Sequence, residues 1–395
     1  MTTNVGGEQQ IKVIDCDTHI IEPYDLWTSQ VPQKWRDLVP RVVWNEKEQQ
    51  DVWTMPGEPL VAAAAGPAMA GYREFPPSRP PRLKDADPTT WNVDLRLKMM
   101  DEYGIHTQVL YPNVGGFGGA RFLNIPEAEL RLQCVRIYND WLTEWASAAP
   151  DRFILNAAVP YWDVQESVKE IRRCHAAGHR GIIFSSHPEK NGQPHLGDKH
   201  WDPLWATCQE LGMPVNFHIG GGGLGDFGSN LAGYHPGVAY SIDTVLLFLS
   251  NADAVVNTIM GGICDRFPNL NFVSVESGIG WFPFLLEVMD WQWMNCGLKR
   301  DFPKRMMPSE YFKRQFFTCF WFERGTIRST VDALGADRIL FETDFPHPTS
   351  QSPGPASHAV EPQQYIDEAL TSVLTPAETK AILHDNAAAL YNWTT

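Results

Sequence analysis

No CxxC pair, no basic stripe and no leader-like start occur in this chain, and each absence removes a class of function. The seven cysteines (Cys16, Cys134, Cys174, Cys208, Cys264, Cys296 and Cys319) are scattered. That spacing argues against a disulfide framework and a cysteine-built zinc site, and it suits a reducing cytoplasm. Lys and Arg number 32 against 47 Asp and Glu, for a net charge of −15. Phosphate binding needs clustered cations, so nucleic acid is not an expected partner. The opening MTTNVGGEQQ has neither a basic start nor an apolar segment, so no signal peptide is expected. No uncharged apolar run reaches the ~18 residues of a membrane span, and none is expected. A GxSxG nucleophile elbow and a GxxxxGK[ST] phosphate loop are also missing.

What is present is apolar and aromatic. Hydrophobic residues make up 43% of the 395, with 20 Phe and 15 Trp, enough for a large core and an aromatic-lined pocket. Eight short apolar runs read as strands: residues 12–20, 107–112, 153–159, 181–185, 214–219, 271–277, 316–323 and 339–346. They are continuous rather than alternating in character, as strands buried on both faces are. Segments 163–178, 202–212 and 241–262 between them carry helix caps and stops. Strands alternating with helices predict a (β/α)8 TIM barrel occupying residues 1–395 as one domain. The first crossover is too long for a simple helix. An insertion at about 24–95 is expected there, with a β-hairpin at 41–55 over the barrel mouth. Segment 375–393 reads as a closing helix with a Thr375 cap and Glu378 three residues on. Segment 345–359 reads as a loop over the site.

Catalytic groups of this barrel lie at the C-terminal strand ends. Asp17 and His19 end the first strand, His218 the fifth, Glu276 the sixth and Glu323 the seventh. Asp344 ends the eighth, with Glu342 before it and His347 after it. So many converging carboxylates would repel one another unless a cation sat among them. GGGGLG at 220–225 matches a dinucleotide fingerprint, but no strand-end acid follows about twenty residues on. Its glycines are read instead as letting the backbone approach a ligand or metal.

DCDTHIIEP, PVNFHIGGGG, FVSVESGIGWFPFLLEVMD and ETDFPHP resemble the amidohydrolase superfamily, in its aminocarboxymuconate-semialdehyde decarboxylase-like branch. The similarity runs from about residue 12 to 393. It implies that Asp17, His19, His218 and Asp344 bind one metal. The decarboxylases of this branch carry a catalytic His where this chain has Glu276.

Two His with several carboxylates is also the ligand composition of carboxylate-bridged di-iron centres. In its Glu at strand six and its aromatic-rich mouth the chain resembles a non-haem di-iron monooxygenase group of this fold, which hydroxylates a coenzyme A-tethered diterpenoid. The leading expectation is therefore an O2-using monooxygenase acting on a bulky apolar small molecule. It would hold two iron ions on Asp17, His19, His218, Glu276, Glu323 and Asp344. Glu276 and His347 are the candidate catalytic residues. Trp281, Phe282, Trp321 and Phe322 are expected to line the pocket. Arg314 and Arg324 are candidate anchors for a coenzyme A phosphate, and a homodimer is expected by analogy. The alternative is a decarboxylase or C–C or C–N hydrolase with one Mn or Zn, in which Glu276 is a general base with its pKa raised by burial.

Overall fold

A computed structural model describes residues 11–57, 61–221 and 233–394. The leader reading at 1–10 and the outer glycines of the 220–225 run lie outside the described residues.

The long apolar runs form strands because their side chains are buried on both faces. β1 (Val13–His19) is followed by three short strands, β2 (Arg41–Asn45), β3 (Gln50–Thr54) and β4 (Val61–Ala62). The remaining strands are β5 (Ile105–Tyr111), β6 (Phe153–Ala157), β7 (Gly181–Ile183), β8 (Val215–His218), β9 (Phe272–Val275), β10 (Phe316–Phe320) and β11 (Ile339–Phe341). β1 and β5 to β11 form one eight-stranded sheet in that order, and every pairing is parallel. The sheet curls until its edges meet beyond β11. There the His19 N–H donates to the Phe345 carbonyl at 2.7 Å and the Asp344 N–H to the Asp17 carbonyl at 3.0 Å. This is the expected (β/α)8 barrel.

Helices fill the crossovers. α1 (Val93–Tyr103) is capped by Asn92 and stopped by left-handed Gly104. α2 (Ala128–Ala146) and α3 (Val164–Ala176) follow, and Asp163 accepts the N–H groups of Gln165 and Glu166 as the α3 cap. α4 (Asp202–Leu211) ends at left-handed Gly212. The helix expected over 241–262 starts earlier and breaks in two, α5 (Pro236–Phe248) and α6 (Ala252–Met260). By length and composition Pro236–Met260 is apolar enough to cross a membrane, but it carries Asp243 and Asp253, so it is not an uncharged run of that length.

Two apolar layers hold the barrel. Ile14, Cys16, Val109, Ile154, Ile183, Val273, Phe317 and Leu340 form an inner cluster that also takes in Leu390 and Tyr391. Tyr391 donates to Asn216 at 2.8 Å, so the C-terminal segment closes the barrel end opposite the mouth. The larger outer layer packs helices on strands. Within the expected insertion, β2, β3 and β4 make a separate antiparallel sheet, one strand more than the hairpin expected.

Candidate metal centre and cleft

The strands end one to five residues earlier than their apolar runs suggest, β9 by two and β11 by five, and this aims the site. Glu276 and Asp344 lie just past β9 and β11 with φ of 56° and 58°. Left-handed backbone is uncommon for such residues, and strain of this kind clusters at functional sites. It turns both carboxylates inward. Asp17 and His19 lie on β1, where the pairing with β5 shifts register between Asp15 and Thr18. Such bulges re-aim side chains.

The result is a buried knot of six groups. Asp17, His19, His218 and Asp344 are fully buried, and Glu276 and His347 nearly so. His19 Nε2 and His218 Nε2 lie 3.2 Å apart. Each is 3.4 Å from an Asp17 oxygen. His19 Nε2 is 3.8 Å from Asp344 Oδ1, and His218 Nε2 is 3.4 Å from Glu276 Oε2. His347 Nδ1 is 2.7 Å from Asp344 Oδ1 and 3.9 Å from Glu276 Oε2. Two overlapping quartets, Asp17–His19–His218–Glu276 and His19–Glu276–Asp344–His347, each bring one ligand atom per residue within 4.8 Å.

The donor set fits a divalent cation. Neither Asp17 oxygen accepts a hydrogen bond among the described residues, although burying an unpaired carboxylate is costly. The His218 Nδ1–H donates to the Ile219 carbonyl at 2.9 Å, which leaves Nε2 with its lone pair facing the knot. Outer contacts fix the shell. The Arg96 guanidinium donates to the His19 carbonyl at 2.7 Å. Asp15 accepts the Thr343 N–H at 2.8 Å and so ties β1 to the turn carrying Asp344. Gly221 is required by close approach, since a Cβ there would stand 2.9 Å from the His218 carbonyl oxygen.

Charge is unevenly shared in this knot. Burial drives the Glu276 carboxyl well above its ordinary range, and Asp344, Asp17 and Glu342 push it the same way. Glu342 is raised well above its range by burial and Asp17. Burial raises Asp15 to about 7. Burial also works against the Asp17 carboxylate, but His218 and His19 outweigh it and hold Asp17 low. His19 is pushed down to about 3 by burial and by His347. Burial disfavours the His347 imidazolium, yet Asp344 prevails and its pKa rises.

Glu323, expected among the ligands, is elsewhere. Its Oε1 accepts the N–H groups of Ile279 and Gly280, both at 2.8 Å, so it braces the turn after Glu276. Beside the knot opens a cleft of about 650 Å³, with Glu276 and His347 in its lining. None of the four expected pocket aromatics lines it. Phe282 is buried against Phe312 and stacked on Trp281 in the outer layer. The Trp321 indole donates to the Thr349 carbonyl at 2.8 Å, and Phe322 is exposed beside Arg324 in a separate cleft. Arg324 pairs with Glu368. Arg314 precedes β10, at the barrel end away from the mouth, and donates to the Cys264 carbonyl. Neither arginine reaches the site. Sequence reasoning missed Phe117, stacked on His218 with centroids 4.0 Å apart. It also missed Asn113, 3.4 Å from His347 Nε2, and Tyr240 and Arg79 in the cleft wall. The glycine-rich run around Phe117 was the available signal.

Gamma-resorcylate decarboxylase of Rhizobium sp. (strain MTP-10005) is 28% identical over 259 residues, 64% of this chain and 76% of that protein. An amidohydrolase from Mycobacterium avium subsp. paratuberculosis K-10 superposes with a TM-score of 0.75 at 23% identity, covering 97% of this chain and all of that one. A dihydroxybenzoic acid decarboxylase from Polaromonas sp. JS666, with bound manganese, superposes with a TM-score of 0.63 at 20% identity, covering 97% of each chain. Decarboxylases are lyases that consume no O2, so these relatives overturn the monooxygenase expectation, and with it the two iron ions and O2. Neither the ligand composition nor the Glu at strand six with its aromatic neighbours distinguishes a redox centre from a non-redox one. The amidohydrolase family model matches residues 14–393, and this chain belongs to that family.

Proposed function

We propose that this chain is a divalent-metal-dependent, non-oxidative decarboxylase of a carboxylic acid. One observation carries the reading: Glu276 is held between the ligand cluster and the open cleft, its Oε2 3.4 Å from His218 Nε2. The relatives' names supply the reaction class. Asp17, His19, His218 and Asp344 would hold one Mn or Zn ion. A bound divalent cation supplies a Lewis acid that orients and polarises the substrate's oxygens.

The chain's own residues do the rest. The C–CO2 bond breaks, its electron pair stays on carbon, CO2 leaves, and the carbon takes a proton. Glu276 supplies that proton, since burial and the neighbouring Asp344 carboxylate raise its pKa and favour the protonated carboxyl. Loss of the proton leaves a carboxylate that His347, 3.9 Å away, would reprotonate. Phe117 walls His218 from water on one side. Turnover in D2O tests the scheme. Product carrying one deuterium at the carbon that bore the carboxylate supports it. A hydrolysis product with an oxygen from water at that carbon refutes it.

A further inference from the structure

The cleft is far larger than a single aromatic ring requires. An apolar cavity of ~150 Å³ already takes benzene, and this cleft is about 650 Å³, in the range of pockets that enclose drug-sized ligands. Small side chains leave the room. Ala63, Ala65 and Gly66 stand on the insertion side and Ala239 on α5, with Trp53 and Leu247 completing the apolar walls.

The α5 helix adds an independent observation. No residue between Pro236 and Phe248 is buried, although the sequence PGVAYSIDTVLLF is largely apolar. Pro236, Ala239, Tyr240, Asp243, Thr244 and Leu247 line the cleft, and their spacing of three or four places them on one helix face. That face is mostly half-buried and mixed, with Tyr240, Asp243 and Thr244 beside Ala239 and Leu247, whereas Val238, Val245 and Leu246 are exposed away from the cleft. The lining face looks across the cleft at the insertion.

We propose that the substrate is a carboxylic acid with an apolar body larger than one ring. Its carboxylate faces the metal cluster and Glu276. Its body lies between α5 and the wall made by β3, β4 and the following turn. The inference rests on the decarboxylase reading for the position of the carboxylate, and on the cleft alone for the size.

The test compares gamma-resorcylate with its para-phenyl derivative, which keeps the reacting head and extends the body. CO2 release and calorimetric binding are both measured with the full manganese-loaded chain. Wild type is expected to favour the phenyl derivative in kcat/KM and in Kd by at least about tenfold, the size of a gained apolar contact. Ala239→Phe, which fills the cleft from α5, is expected to lower kcat/KM for the phenyl derivative at least about tenfold more than for gamma-resorcylate and so to remove that preference. Ala65→Leu, on the opposite wall, is expected to act in the same direction and guards against misfolding of one variant. Equal handling of both acids by wild type, or equal losses for both in the two variants, overturns the size inference. Size-selective binding without CO2 from either acid overturns the decarboxylase reading and leaves the size inference standing.

Discussion

Truncating Glu323 separates a brace from a ligand. Its carboxylate holds the Ile279 and Gly280 N–H groups at 2.8 Å each, and a Cβ on Gly278 would stand 3.2 Å from the same oxygen. Glu323→Ala leaves two donors unpaired, at a cost of about 1–3 kcal/mol each where water cannot replace the acceptor. The site is partly open, so water recovers part of this, and a net loss of ~2–3 kcal/mol is expected. Unfolding entropy scales as about 2.1 cal/mol/K per residue, which for a chain of this size makes the loss a fall of only ~3 °C in Tm. The larger effect is on rate. The freed turn carries Glu276, and a misplacement of about 1 Å at a reacting group costs roughly a hundredfold. Metal content by elemental analysis should stay at the wild-type value, and Glu323→Gln, which keeps an acceptor oxygen, should recover most of the activity. Loss of metal in Glu323→Ala to the level of His218→Ala would refute the brace and make Glu323 a ligand. An unchanged Tm together with an unchanged kcat would refute the claim that it holds the turn.

Three further outcomes follow from the site. Glu276→Gln should retain metal and lower kcat by about 10²–10⁴-fold, the usual worth of a positioned acid. In wild type the rate should fall as pH rises through the raised Glu276 pKa, and a pH–rate profile of Glu276→Gln should lack that alkaline limb. In the metal-free chain Asp15 is raised from 3.8 to about 7, so the folded state binds the extra proton. Its stabilising contribution is complete below about 4 and lost as pH climbs through 7. Melting curves of metal-free protein should therefore shift downwards from pH 5 to pH 8, and Asp15→Asn should flatten that slope.

The barrel was legible because burial on both faces writes itself as uninterrupted apolar runs, and the eight expected strands are the eight found. Their ends were not. Glu276 and Asp344 continue apolar runs in sequence yet sit on left-handed backbone, a conformation that hydrophobic pattern does not encode. Glu323 shows the same limit in side-chain direction: it occupies a strand-end position like the cluster residues but turns to backbone N–H groups of the neighbouring loop. The aromatic residues failed for a related reason. Phe282 and Trp321 are apolar whether they face a cleft or a helix, and tertiary packing assigned them to the core. Phe117, within a glycine-rich loop, was free to swing over His218 instead. The di-iron inference erred one level higher, since the same two imidazoles and carboxylates serve redox and non-redox metals alike.

Gas exchange in a sealed, anaerobic vessel tests the central claim most directly. With manganese-loaded protein and a carboxylic acid that binds the cleft, the account predicts one CO2 released per acid consumed and full rate without O2. It also predicts about one manganese per chain, held by Asp17, His19, His218 and Asp344. Turnover that stops when O2 is removed, or that requires two metal ions per chain, would contradict it.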